Sequence, residues 1–278
     1  MKKTIVITGA SSGIGKATAL YFAHRNWNVA ATMRKPENAA KDLVQHSNIR
    51  LYRLDVTEPA GIDEALHTII QDFGAVDAIV NNAGYGAVGV FEAATPEQIQ
   101  QQFDTNVFGV MNVMRAILPY FRQRRQGTIL NVTSMGGQIT FPLYSVYHST
   151  KWAVEGLSES MSFELNHHNI RMKIIEPGAI KTDFYDRSMD LFSKQGLNDY
   201  DHYTEITYKN TQEAGNNAPG PDIVAKAIFK AANDTSKKLR YPVGSNAALL
   251  LLARKILPLR LFMTIIGSVV EKGLTRQR

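Results

Sequence analysis

Tyr147 and Lys151 stand four residues apart, so on a helix they share one face. A free phenol has a pKa of ~10 and is a weak acid at neutral pH. A neighbouring ammonium stabilises the phenolate and draws that value toward the range where proton transfer is efficient. Ser134 lies just past the apolar run ending Asn131-Val132-Thr133, where its hydroxyl would reach the same site from the carboxyl edge of a sheet. Taken alone, a Tyr/Lys pair at this spacing is more often surface packing. The serine and its strand turn the reading toward acid–base chemistry.

A second group of residues could hold a phosphate. Thr8-Gly9-Ala10-Ser11-Ser12-Gly13-Ile14-Gly15 joins an apolar β-branched run to a stretch with helical spacing. Glycines there let the chain turn sharply and let a pyrophosphate approach without a Cβ in the way. The helix start then offers unpaired N–H groups and a positive dipole end. An ordinary glycine-rich turn shares the composition, and its place after an N-terminal strand favours nucleotide binding. Lys16 and Ala17 follow Gly15, so the signature of a P-loop is missing.

Charge then selects the dinucleotide. An NAD site places an acid at the end of the second strand for the ribose 2′-hydroxyl. Here that strand ends Ala31-Thr32-Met33-Arg34-Lys35, with no acid before Glu37. Arg34 and Lys35 suit the 2′-phosphate of NADP, and NAD fits less well. A solvated surface pair of cations would look the same.

These groups need a frame. Short apolar runs at 4–8, 29–32, 50–54, 76–80, 128–132 and 171–175 read as strands. Helical patterns fall at 13–25, 36–47, 58–73, 96–124 and 145–168. Thr95-Pro96-Glu97-Gln98 marks one start, with a Thr cap, Pro at the first position and Gln at the third. Alternating strand and helix with continuously apolar strands predicts an α/β fold, a doubly wound parallel sheet with helices on both faces. All 278 residues read as a single domain, since the Gly/Asn/Pro-rich stretch 214–221 lies too near the end to divide two.

Composition narrows the function. With 44% hydrophobic and 20% charged residues the chain can fill a core, which excludes disorder. Cysteine is absent, which excludes disulfides, thiolate metal sites and cysteine nucleophiles. His167 and His168 are adjacent and no zinc-type spacing occurs, so no metal site is expected. Of the net charge of +6, the stretch from Lys237 onward carries +8 and the remainder −2. A nucleic-acid footprint would run along the main domain as well, so no nucleic-acid partner is expected. Apolar runs are too short for a signal peptide or a membrane span, and a cytoplasmic protein is expected.

The pattern resembles the short-chain dehydrogenase/reductase family in its single-domain form, from the first strand to about residue 182. The resemblance rests on Thr8-Gly9 through Gly15, Asp55-Val56, Asn81-Asn82-Ala83-Gly84, Asn106, Ser134, Tyr147-x-x-x-Lys151, Pro177-Gly178 and Thr182. It implies that Asp55 and Val56 contact adenine and that Asn82, Ala83 and Gly84 line the adenosine side. Pro177, Gly178, Ile180 and Thr182 would hold the nicotinamide. Tyr147 would be general acid in reduction and general base in oxidation, with Lys151 binding the ribose and tuning it. Ser134 would donate to the substrate oxygen, and Asn106 would fix a water linking Lys151 to solvent. The implied activity is hydride transfer between NADP(H) and a carbonyl or alcohol. A homo-oligomer packed through the two long helices is implied as well.

The substrate side is read more coarsely. Residues 183–215 hold six of the 25 aromatics, among them Phe184 and Tyr185. With Phe141, Leu143 and Met189 they suggest a lid over an apolar pocket, while plain packing onto the core fits equally. Resemblance to hydroxysteroid- and retinol-dehydrogenase-like members points to a lipophilic substrate. The extension 246–278 reads as two short amphipathic helices about Pro258. It would close the pocket, form an oligomer contact, or touch acidic lipid weakly. His148 is set aside because neighbouring helical positions diverge, and Asp183 is read as a helix cap. Two other classes fit parts of the pattern: a dinucleotide-sensing regulator without turnover, and a peripheral-membrane protein using the tail. Neither needs Ser134, Tyr147 and Lys151 together. An epimerase or dehydratase would need a further domain, for which there is little room.

Overall fold

Strands that carry apolar side chains on both faces must be covered on both, and the first and fourth strands are buried along their whole length. The computed structural model, which describes residues 2–182 and 189–274, builds them into a seven-stranded sheet. Its strands are β1 (Thr4–Ile7), β2 (Asn28–Met33), β3 (Ile49–Arg53), β4 (Ala78–Asn81), β6 (Gly127–Val132), β7 (Ile170–Pro177) and β9 (Arg240–Val243). The order is β3-β2-β1-β4-β6-β7-β9, and every pairing is parallel. One face is covered by α1 (Gly13–Ala23) and α8 (Asp222–Asn233), through Phe22, Trp27, Val224 and Ile228. The other is covered by α3 (Pro59–Phe73), α5 (Gly109–Arg124) and α6 (Ser145–Asn166), through Ile62, Ile69, Val113, Phe121 and Val154.

The order in which strands are added to the sheet reverses between β1 and β4, leaving a crevice at their carboxyl ends. Every loop that carries a candidate residue opens onto that edge. The predicted α/β architecture is therefore present, and Tyr147, Lys151 and Ser134 fall where a doubly wound sheet binds ligands.

Four local features differ from the sequence reading. The helix expected over 36–47 is a 3-10 turn (Pro36–Asn38) and one α-turn, α2 (Lys41–Val44). Only Leu43 is buried there, too little apolar surface to hold a longer helix. The stretch 96–124 is α4 (Pro96–Phe103) and α5 joined by a π-helical turn over Asp104–Phe108. Edge strand β9 escaped the pattern because it is four residues long and holds Arg240 and Pro242. A separate two-stranded sheet pairs β5 (Gly86–Val88) with β8 (Met189–Leu191). The expected cap of α4 is formed: Thr95 Oγ1 accepts from the Gln98 amide at 3.2 Å and Gln98 Oε1 from the Thr95 amide at 3.1 Å.

Beyond the sheet, α7 (Asp201–Asn216) precedes α8, and α9 (Ala247–Ile256) and α10 (Leu259–Val270) flank Pro258 as expected. These last helices pack through Leu251, Phe262 and Ile266 against Ile139 and Phe141.

Candidate active site

The glycine loop sits where two backbones nearly touch. Gly9 has φ +65°, and a Cβ there would lie 2.8 Å from Ala83 Cα. A Cβ at Gly15 would lie 2.2 Å from the Gly9 carbonyl oxygen. Thr8 fastens the loop from below: its Oγ1 accepts the amides of Asn82 and Ala83, both at 3.0 Å. Asn82 Nδ2 donates back to the Thr8 and Gly9 carbonyls at 3.0 and 3.2 Å. The loops after β1 and β4 thus form one rigid floor at the start of α1. This loop, which side chains at Gly9 or Gly15 would force apart, fits the pyrophosphate of a dinucleotide at the start of α1.

Above the floor runs a cleft of about 1410 Å³. Gly9, Ser11, Ser12, Gly13, Ile14, Arg34, Asp55, Val56, Asn82, Ala83 and Gly84 line one end. Ser134, Tyr147, Lys151, Pro177, Gly178, Ile180 and Thr182 line the other, together with Phe141 and Met189. Thr182 closes over the glycine loop, 3.7 Å from where a Gly13 Cβ would stand. The cleft is long enough to place a cofactor at one end and a substrate beside the phenol at the other.

Four expected residues stand outside the lining. Gly15 is buried beneath the loop, and Lys35 is exposed. Leu143 is buried behind the cleft with Val88 and Tyr144, and its carbonyl accepts the Gly89 amide at 2.8 Å. Asn106 is buried too. Its Oδ1 accepts the Tyr85 amide at 3.1 Å, and its Nδ2 donates to the Tyr85 carbonyl at 2.9 Å and to Thr150 Oγ1 at 3.2 Å. The π-turn aims this side chain inward, where it ties the β4 loop to the helix of Tyr147. Phe184, Tyr185 and Asp183 lie outside the described residues.

The reacting groups are held by backbone. Ser134 Oγ accepts the Gly136 amide at 3.0 Å and donates to the Pro177 carbonyl at 3.4 Å. Lys151 Nζ donates to the Val132 carbonyl at 3.1 Å and lies 5.6 Å from the Tyr147 ring centroid. Burial of its ammonium draws the Lys151 pKa down to about 8, and the charge of Glu155 one turn on opposes that shift.

A buried ionic cluster backs these groups. Glu155 accepts from Thr133 Oγ1 at 2.6 Å and from Arg240 Nε at 3.1 Å. Arg240 also pairs with Glu159 at 3.1 Å, and Glu176 lies 3.6 Å from its Nε. Glu176 accepts from Gln138 as well, and burial pushes its carboxyl up to about 7. The sequence pattern offered no signal for this cluster, whose members come from α6, β7 and the unrecognised β9.

His148, set aside as a catalytic group, nevertheless lines the cleft. Its ring is beside Tyr147, 5.8 Å between centroids, and sits 5.7 Å from those of Phe141 and Tyr144. Gly136 makes room for it, since a Cβ there would lie 3.1 Å from Nε2. Burial lowers its pKa to about 4, so the imidazole is neutral.

Part of the 183–215 segment lies outside the described residues, and the described aromatics pack onto neighbouring elements. Phe192 is buried against Val146, and Tyr203 and Tyr208 pack with Leu143 and Tyr144. Asn210, Thr211 and Ala214 are the α7 residues that line the cleft. Among the described residues no group of three or more His, Asp or Glu could hold a metal ion.

Comparison with known proteins agrees with this geometry. The family model for the short chain dehydrogenase matches residues 3–190. A 3-ketodihydrosphingosine reductase of Bacteroides thetaiotaomicron is 36% identical over 86% of this chain and 87% of its own length. A short-chain dehydrogenase from Streptomyces avermitilis superposes with a TM-score of 0.83 at 31% identity, covering 99% of this chain and 100% of that one. ElxO with NADP bound superposes with a TM-score of 0.71 at 29% identity, over 87% of this chain and 98% of that one.

Proposed function

The chain belongs to the short-chain dehydrogenase/reductase family, and from that membership we propose an NADP(H)-dependent oxidoreductase of lipophilic carbonyls and alcohols. As a member it is an oxidoreductase acting on CH–OH or C=O groups with a nicotinamide dinucleotide. The finer reading concerns which dinucleotide and what kind of substrate.

One observation carries the cofactor preference. Arg34 leaves β2 at the cleft edge, among Ser11, Ser12 and Asp55. Arg34 and Lys35 make no ion pair among the described residues, and Glu37 does not line the cleft. A guanidinium that pairs with no carboxylate among the described residues can bind a 2′-phosphate through charge-assisted hydrogen bonds. The NADP bound in ElxO is consistent with this.

When bound, the nicotinamide supplies or accepts the hydride. The chain's own groups move the proton and hold the oxygen. Ser134 Oγ donates to the substrate oxygen as negative charge develops on it. The Tyr147 hydroxyl delivers the proton in reduction and removes it in oxidation. Lys151, anchored on Val132, places a positive charge beside the phenol, which lowers the cost of the phenolate. Asn106 holds the helix of Tyr147 against the β4 loop, so the spacing of these groups is set before substrate arrives.

A lipophilic substrate is supported by the walls at the Tyr147 end. Phe141, Met135, Leu250 and Val269 line it, with the neutral ring of His148. The 36%-identical relative is named a 3-ketodihydrosphingosine reductase. Partners in this reading are that small molecule, an acidic lipid surface met weakly through the tail, and a second copy of the chain. The last is supported by Phe108, Trp152 and Phe163, exposed at or on the long helices α5 and α6. Cytoplasmic placement belongs to the same reading.

The test is a comparison of cofactors on a panel of ketones and aldehydes. Arg34→Glu is expected to lower kcat/KM for NADPH roughly 10- to 100-fold while leaving NADH nearly unchanged. Equal losses with both cofactors would remove the NADP assignment.

A further inference from the structure

α9 is apolar on two opposite sides. Ala247 and Leu251 are buried on one, with Leu250 at the cleft wall. Leu249, Leu252 and Ile256, at spacings of three and four, form the other stripe and are 63%, 54% and 69% exposed. α10 adds Leu261 and Ile265, four residues apart and exposed, while Phe262 and Ile266 face inward. A helix already packed through one side that leaves a second apolar stripe exposed presents a surface for a partner or for lipid.

Charge decides what covers this face. From 246 to 270 the sequence has Arg254, Lys255 and Arg260 and no Asp or Glu; Lys255 and Arg260 are exposed, whereas Arg254 lies over the buried Phe262 ring. A second copy docked by two-fold symmetry would bring the exposed Lys255 and Arg260 of both chains onto one shared face, with no carboxylate in the segment to offset them. A bilayer containing anionic lipid supplies both an apolar layer for the leucines and negative charge for the cations. No helix among the described residues is long and apolar enough to cross a membrane, so contact is at the interface.

The same two helices wall the cleft through Leu250, Val269 and Val270. We propose that the outer face of α9 and α10 docks on anionic membrane surfaces, and that lipophilic substrate passes from the lipid into the Tyr147 end of the cleft. Docking stands on the surface alone; the entry route rests on the oxidoreductase reading above.

The test uses the full chain and two kinds of vesicle, phosphatidylcholine alone and phosphatidylcholine with phosphatidylserine. Co-sedimentation is expected with the anionic vesicles at low salt. The two exposed cations, each worth about a factor of five at such a surface, predict about 25-fold weaker binding to neutral vesicles. High salt is expected to weaken the anionic binding as well. Leu252→Asp with Ile256→Asp is expected to abolish binding. Both positions are exposed, so the circular dichroism and NADPH affinity of the variant should match the wild type. Absence of binding to anionic vesicles at low salt would overturn docking. So would unchanged binding of the double variant, or its conversion from dimer to monomer, which would assign the face to a second copy.

An activity arm separates the two readings. With a long-chain ketone dissolved in anionic vesicles, the double variant is expected to turn over at least tenfold more slowly, while a short water-soluble ketone is reduced at the wild-type rate. Equal rates on the vesicle-borne ketone would overturn the entry route. Vesicle binding without turnover of any carbonyl would remove the substrate reading and leave docking in place.

Discussion

At the scale of single residues, the proton chemistry depends on how Lys151 is kept charged. Burial brings its pKa down to about 8, and Glu155 limits the fall. The ammonium is therefore present below about pH 8 and lost above it. Carbonyl reduction is expected to decline as pH rises through that value. Glu155→Gln removes the opposing negative charge, so the declining limb should move to lower pH. A kcat/KM profile from pH 6 to 10 for both proteins checks this, and an unmoved limb would separate Glu155 from Lys151. Most of this site was legible in the sequence because its chemistry is local: Tyr147 and Lys151 share a helix, and the glycine loop is contiguous. His148 was not, for a physical reason. Consecutive helical residues do diverge, yet the cleft wraps far enough around α6 to receive both, and Gly136 leaves a space the ring fills. A pairwise rule along one helix carries no information about the loop packed against it.

At the scale of elements, the polar cluster around Arg240 joins the sheet edge to the catalytic helix. Arg240 on β9 reaches Glu155 and Glu159 on α6 and lies beside Glu176 on β7. Glu176 is almost fully buried, and its carboxyl is raised from 4.5 to about 7. A raised carboxyl binds its proton more tightly folded than unfolded, so the favourable contribution is complete below about pH 4.5 and is lost as pH rises to 7. Glu176→Gln should flatten stability against pH across that window, by up to about 3 kcal/mol at its upper end. Urea unfolding at pH 5 and pH 7.5 measures it, and parallel pH dependences would exclude Glu176 as the source. Elements with both faces buried, such as β1 and β4, were readable because the sequence there is continuously apolar. β9 was not, because an edge strand tolerates Arg240 and Pro242 and is recognisable only by its partner β7. The π-turn was equally hidden. Its one sign was Asn106 inside an otherwise helical pattern, a residue disfavoured there unless its amide is bonded elsewhere, as it is to Tyr85.

At the scale of the whole molecule, the proposed cofactor and substrate ends of the cleft are built from parts of the chain that differ in how they depend on the sheet. The cofactor end of the cleft is built from residues 9–182, in the loops at the carboxyl edges of the strands. The substrate end is finished by α9 and α10, which follow the last strand and pack on Ile139 and Phe141 through Leu251, Phe262 and Ile266. Since the sheet is complete by Val243, a chain ending at Asn246 should retain it. Such a chain is expected to bind NADPH with nearly unchanged affinity. Its KM for a lipophilic ketone should rise by about tenfold or more, because each buried aliphatic side chain removed forfeits roughly 1.5–3 kcal/mol of apolar contact. Its melting temperature should fall, since Ile139 and Phe141 lose their cover. Cofactor titration by fluorescence and steady-state kinetics on the same preparation decide the matter. A parallel loss of NADPH affinity and ketone affinity would mean that the C-terminal helices support the dinucleotide loops as well as the substrate wall.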